Sequence, residues 1–484
     1  RVLKTPSMTT QEFQHIVCDY FKTMRDYHVD VVFFSTEKAF LPFTVKGAEG
    51  RYFIDWVDGR YLHSRCPMQP GDELLEFDNR PIGDVVRELH RISGKSSSPE
   101  TDQALALMSL TQRTAAAGDV VPKGRVFVKT QSRADGRVFR YSLRWSYHAE
   151  HISSPLDMPP ALTRSKMVYP FKPQKGHISD AEMVNPLHKV YASTCADRPG
   201  ELGANKSFIP PLGQILWTFQ NDHEKAASIR WNAYIYLLPS GIPIGYIRIP
   251  HYEGNQKLAE KFGHILNVME EHTEALVIDQ VHNHGGLANF AYELASMLAT
   301  KPLQTPHHRI KITQKEVYQA YKKIKKITSA PEDADSSDAG NSDEDESAIE
   351  RLYAQLMGLK SYYEFIINEW NQGHTLTSPT PIIGIDFINP HPKYHYTKPI
   401  LILINEMDFS AGDFIPAILQ DNQRARLFGS RTAGAGGVVA AFEFPNVHGI
   451  YRCSYTCTIA ERSNSNKIEN LGVTPDIEYR ITAQ

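Results

Sequence analysis

Residues 399–419 constrain this chain more than any other stretch. The run 400–404 is isoleucine and leucine on both faces, and from Ala411 to Leu419 the apolar residues recur at helical spacing. A strand apolar on both faces fits a sheet covered on two sides, so the stretch predicts an α/β layer. One serine, Ser410, stands at the turn, with Gly412 and Asp413 in the first helical turn behind it. There the free N–H groups and positive dipole end of a helix stabilise a developing oxyanion, which suits a nucleophile. The plain alternative is a serine that only caps the helix. A catalytic reading therefore needs a base, an orienting acid and a second oxyanion donor.

The same rhythm recurs upstream. Residues 234–238 and 244–249 read as strands, 257–271 as a helix, 275–279 as a strand and 287–298 as a helix. Between the last two lies Asp279-Gln-Val-His-Asn-His-Gly-Gly286, whose paired glycines let backbone approach a substrate closely. An N–H from Gly285 or Gly286, joined by that of Ala411, makes a two-donor oxyanion hole; the alternative is a purely structural turn.

Before residue 230 the organisation differs. Thr9 and Thr10 precede Phe13, Ile16, Val17, Tyr20 and Phe21 at helical spacing, a strand follows at 31–34, and His28 sits at the junction. Residues 48–146 carry short strands and turns, and Pro70-Gly-Asp-Glu-Leu-Leu-Glu-Phe-Asp78 resembles the central hairpin of PDZ domains, which hold extended peptides by strand addition. A polar insertion at 94–100 and a helix at 101–113 interrupt it. Residues 147–230 are rich in Pro, Ser and His with little periodicity, and 197–211 read as an exposed, cleavable loop. The expected divisions are an N-terminal helical segment (1–46), a PDZ-like domain (47–147), an irregular linker (148–230) and a C-terminal core (231–484) with a disordered acidic loop at about 329–348.

A chain of 484 residues needs more than one core, and its 41% hydrophobic and 22% charged content is that of an ordinary globular protein. No run of eighteen apolar residues marks a membrane span. The start at Arg1, without methionine or a signal-like segment, leads to the expectation of a mature or truncated fragment. Eight acidic residues fall within 332–346; without them the net charge of −3 becomes +5, and neither value marks a nucleic-acid binder. The lysines at 322, 323, 325 and 326 read as a solvated helix. Five cysteines are too scattered for a disulfide framework, and Cys453 and Cys457, four apart, are expected on one strand face. The histidines show no ligand set at metal spacing, so neither metal nor cofactor is expected.

Five ordered motifs complete the pattern: Gly245-Tyr-Ile-Arg-Ile-Pro250, Asn283-His-Gly-Gly286, Asp408-Phe-Ser-Ala-Gly-Asp413, Gly429-Ser-Arg-Thr-Ala-Gly-Ala-Gly-Gly437 and Ile468-Glu-Asn-Leu-Gly-Val-Thr-Pro-Asp476. Together they resemble the C-terminal processing (tail-specific) serine peptidases. The likeness reaches Asp26 to Val29, Phe33-Phe-Ser35 and Phe40-Leu-Pro-Phe-Thr44, so it spans nearly the whole chain. It implies an α/β fold: a layered peptidase core of ClpP/crotonase-like type, an inserted PDZ-like β-rich domain and an N-terminal helical segment.

Most of that family use a serine and a lysine from a Gly-Lys-Gly turn, but here the turn is Gly434-Ala-Gly436. The branch that this chain resembles supplies His28 as general base and Glu469 as the acid that orients it. Two more departures are Asn-His-Gly-Gly in place of Asn-Pro-Gly-Gly, and Val29-Asp30 after His28 where the family prefers small residues. The resemblance further implies protein or peptide substrates, secretion from a bacterial cell as a virulence factor acting in a host cell, a zymogen that matures by self-cleavage with an inhibitory segment near 197–211, and a homodimer. Two rivals share the fold: a non-catalytic protein holding peptides or apolar ligands, and a PDZ-type scaffold with a dead peptidase half.

Overall fold

The computed structural model describes residues 8–59, 67–94, 97–151, 211–221, 229–329, 343–464 and 466–483, with 202–205, 207 and 209 besides. Helix α1 (Thr10–Lys22) starts with a reciprocal cap: Thr9 accepts from the Glu12 N–H, and the Glu12 carboxylate accepts from the Thr9 N–H. Its Phe13, Val17, Cys18 and Phe21 pack on Val31 and Phe33 of strand β1 (Asp30–Phe33).

Next comes an antiparallel sheet of β2 (Phe43–Ala48), β3 (Arg51–Val57), β4 (Glu73–Phe77), β5 (Arg125–Gln131) and β6 (Val138–Arg144), in that spatial order. Helices α2 (Ile82–Ser93) and α3 (Pro99–Thr111) complete it, and Ile54, Leu74, Val126 and Val128 share one core with Val86, Leu89, Ala106 and Leu110. Leu105 of α3 instead joins a separate cluster with Tyr27, Met407, Phe409, Ala433 and Ala435.

The C-terminal region is built on a mostly parallel sheet. Strands β7 (Gln214–Thr218), β8 (Ala233–Leu237), β9 (Pro243–Arg248), β10 (Ala275–Asp279), β11 (Ile400–Ile404) and β12 (Arg426–Gly429) lie in sequence order. The first two pairings are antiparallel, and β9 to β12 run parallel. Helix α4 (Gln256–His272) is capped by Asn255, and its Leu258, Phe262, Ile265 and Met269 recur on one buried stripe. Helix α5 (Ala288–Leu298) connects onward from β10; α6 (Gln314–Thr328) and α7 (Asp343–Asn371) pack in a satellite cluster with Ile310 and Ile312. Helix α8 (Ala411–Asp421) follows β11. Strands β13 (Val439–Phe442) and β14 (Ile450–Thr456) leave the sheet, and β14 lies between β13 and β1. Strand β15 (Ile477–Glu478) closes the main sheet beside β12.

Three expectations are corrected. Residues 214–218, placed in an irregular linker, form edge strand β7; its side chains are mostly exposed, so no apolar alternation marks it. Most of the rest of that linker, including much of 197–211, lies outside the described residues. The acidic stretch is not a loop to residue 348: helix α7 begins at Asp343, where acidic residues suit a helix N-terminus, and 330–342 lie outside the described residues. Cys453 and Cys457 do not share a face of one strand, because β14 ends at Thr456; Cys453 packs against Cys18 and Val31, whereas the Cys457 thiol reaches the Val438 carbonyl.

Candidate active site

Ser410 stands at the N-terminus of α8, but it does not cap the helix. Its side chain makes no capping bond, and its backbone is held at φ 58°, ψ −117°. That left-handed conformation is strained for a residue with a Cβ and persists only where its surroundings enforce it. They do so here. The Ser410 N–H donates to the Ala435 carbonyl (3.0 Å), the Phe409 N–H to Asn283 O (2.8 Å), and the Gly412 N–H to Phe409 O (2.8 Å).

The glycine turn packs against this strained residue. Gly285 has φ 90°, and a Cβ on it would lie 2.6 Å from Ser410 Cβ and 2.7 Å from Phe409 O. A Cβ on Gly286 would fall 2.3 Å from the Tyr252 carbonyl carbon. Only glycine fits either place. The Gly285 N–H is already committed to Asn283 Oδ1 (2.8 Å), whereas those of Gly286 and Ala411 have no acceptor among the described residues. Asp408 joins the two turns: its Oδ1 accepts from the Asn283 N–H (2.9 Å), and its Oδ2 from Gln280 Nε2 and the Asn405 N–H (3.0 Å each). Asp408 is fully buried, and burial pushes its carboxyl well above the ordinary range despite these donors.

A third segment, residues 432–436, is tied down by Asp413. Its Oδ1 accepts from the Thr432 hydroxyl (2.5 Å) and the Gly434 N–H (2.9 Å), and its Oδ2 from the Ala435 N–H (3.1 Å). Burial raises this carboxyl to about 6, against the pull of those donors. Ala435 lies buried with Tyr27 and Phe409, so the space a longer side chain would need there is filled.

His28 is fully buried, one residue from Tyr27, whose ring meets Phe409 edge-on at 5.6 Å. Its loop is fixed from two sides. The His28 N–H donates to Asp26 Oδ1 (2.8 Å), and the His28 carbonyl accepts from Ser454 Oγ (2.7 Å). Asp26 Oδ2 also accepts from Thr456 Oγ1 (2.6 Å). Glu469 accepts the Ala460 N–H on both oxygens (2.8 and 3.0 Å). Its carboxyl is pushed up to about 8, chiefly by burial, with the charges of Asp26 and Asp413 adding to the rise. Ser410, Ala411 and Gly285 are thus packed together, with Gly286 next along the turn against Tyr252. His28 reaches them through Tyr27 and Phe409, and Glu469 lies within the field of Asp26 on the histidine's own loop.

Asn283, Asp408, Asp413 and Tyr27 support this site without having been singled out as functional from the sequence. Buried acids beside glycine turns were the one available clue. A further arrival is Leu202, 2% exposed, in the cluster of Tyr27, Phe409 and Ala435; the next N–H, Gly203, donates to His282 O (2.8 Å) beside the glycine turn.

Comparison with known proteins finds relatives over the whole chain. A family model described as a PDZ domain matches residues 37–152, and one described as Peptidase family S41 matches residues 243–479. An uncharacterized protein of Chlamydia muridarum is 34% identical over 506 residues, covering 98% of this chain and 81% of its own length. A Chlamydia trachomatis protein is 33% identical over 513 residues, with 100% and 82% covered. Among solved structures, mature CPAF complexed with lactacystin superposes with a TM-score of 0.78 at 30% identity, covering 100% of this chain and 86% of that one.

Proposed function

The chain belongs to Peptidase family S41 and is a serine peptidase; from that premise we propose that Ser410, His28 and Glu469 are its nucleophile, general base and orienting acid in an endopeptidase. Ser410 Oγ attacks the scissile carbonyl while His28 takes its proton, and the C–N bond breaks as His28 returns that proton to the leaving amine. Water then releases the acyl group by the same relay. The oxyanion is held by the N–H groups of Gly286 and Ala411, the Gly285 N–H being engaged elsewhere. Glu469 orients the imidazole, a reading supported by the charge of Asp26, on the histidine's loop, reaching its carboxyl. The supporting observation that carries most weight is that Ser410 is strained and does not cap its helix.

Leu202, buried beside Phe409 with Gly203 bound to His282 O, supports a self-blocking form in which part of the linker occupies the substrate path until it is cut. Secretion, action as a virulence factor in a host cell and a homodimeric active form belong to the same reading.

Labelling with a serine-reactive fluorophosphonate tests it. The wild type should label at Ser410, and Ser410→Ala and His28→Ala should each lose label and about 10⁶ in kcat, with Glu469→Gln losing less, about 10⁴. A Ser410→Ala protein keeping more than roughly a hundredth of the activity sinks the assignment.

A further inference from the structure

Tyr27 touches more of the catalytic surroundings than a core aromatic needs. It is 1% exposed, precedes His28, and lies edge-on against Phe409, which precedes Ser410. Its hydroxyl oxygen accepts from the Ser98 N–H (3.1 Å), and its one proton is within reach of Ser98 O (3.0 Å) and Asp102 Oδ1 (2.9 Å). Ser98 is the N-cap of α3, and Asp102 is a fully buried carboxylate in that helix's first turn. Both belong to the PDZ-like region, not to the peptidase core.

The same helix end grips the nucleophile's side of the site. Thr101 Oγ1 donates to Glu406 O (2.7 Å), in the turn that leads to Ser410. Arg431, just before the strap held by Asp413, pairs with Glu100 (2.9 Å). On the far side, Asp102 faces His90 Nε2 of α2 at 3.5 Å. Five residues at this end of α3, Ser98 with Glu100, Thr101, Asp102 and Leu105, therefore bear on the histidine loop, the serine turn and the strap at once.

A buried phenol with both its donor and acceptor satisfied by one helix end has little freedom to shift. Displacement of reacting groups by about 1 Å costs on the order of 10² in rate. We propose that Tyr27 is a positioning residue through which helix α3 of the PDZ-like domain sets the spacing of His28 and Ser410, so that this domain is a structural part of the catalytic centre. The proposal rests on the peptidase assignment above and deepens it.

Tyr27→Phe keeps the ring on Phe409 and removes only the hydroxyl; Asp102→Ala removes the acceptor, and Asp102→Asn restores an oxygen in its place. Full-length protein is assayed for kcat and KM on an unstructured protein substrate, for the rate of fluorophosphonate labelling, and for Tm. The expected result is a roughly tenfold loss in kcat and labelling rate for Tyr27→Phe, with KM within twofold. Asp102→Ala should lose a similar factor, Asp102→Asn should recover most of it, and the double variant Tyr27→Phe/Asp102→Ala should be no worse than either single one. Variants that label as fast as wild type, losses that multiply in the double variant, or losses confined to KM overturn the role of Tyr27. Should a variant melt below the assay temperature, its labelling rate is measured below its Tm and is held to the same criteria. A wild type that never labels overturns the peptidase reading, and this inference with it.

Discussion

Two turns end neighbouring parallel strands and meet face to face, yet at their point of contact one presents glycine and the other a strained serine. After β10 the chain places glycines at the tight points, with φ 90° at Gly285 and 151° at Gly286. After β11 it forces a serine into the left-handed region at φ 58°. At its glycines the first turn gives room at little conformational cost. The second holds Ser410 in a strained pose, which the first turn and Asp408 enforce from outside. Where the two turns touch, a strained serine faces an unstrained glycine, while the first turn keeps its own non-glycine strain farther back, at His282 with φ 63°.

The sharpest way to break this pairing is Gly285→Ala. The new Cβ would lie 2.6 Å from Ser410 Cβ and 2.7 Å from the backbone oxygen of fully buried Phe409, which cannot move aside cheaply. Peptidase activity should fall by about 10³ or more with the fold retained, as read by kcat and by circular dichroism. Activity within tenfold of wild type would mean that the two turns are not mutually supporting.

Asn283→Ala should come next. It strips the acceptor from the Gly285 N–H and the donor from Ile249 O, leaving two buried polar groups unpaired. About 2–3 kcal/mol of stability and roughly 10²-fold in kcat should go, measured by urea unfolding and steady-state kinetics.

The smallest effect is a pH shift. Glu469 titrates near 8, above the ordinary glutamate value of 4.5, so between those values the folded protein holds a proton that the unfolded chain has released. Its contribution to stability is therefore complete below 4.5 and is lost as the pH rises through about 8. Catalytic support for a charged imidazole runs the other way, and kcat/KM should rise between about pH 7 and 9. Asp26→Asn removes a like charge, so the rise should move to lower pH; an unmoved profile would separate Glu469 from the histidine loop.

What could be read in the sequence tracks how local the determinant is. The strand, serine and helix at 400–421 and the glycine turn are each contiguous, and their apolar periods and turn residues declare them. Helix α1 with its cap was equally plain. The position of His28 followed only from family resemblance, because a histidine at a helix–strand junction carries no periodic mark. The supporting bonds were hidden altogether: Asp102 lies 75 residues from Tyr27, and Asp408 lies 125 from Asn283. Edge strand β7 escaped for another reason, since an exposed strand has no buried face to pattern.

Strand β1 pairs with β14, and Asp30 binds Ser454 at a sequence separation of 424. Such a pairing has very high contact order, and during synthesis it must wait until the segment 450–456 has left the ribosome. A chain that stops before Ile450 has no strand to seat the loop that carries His28.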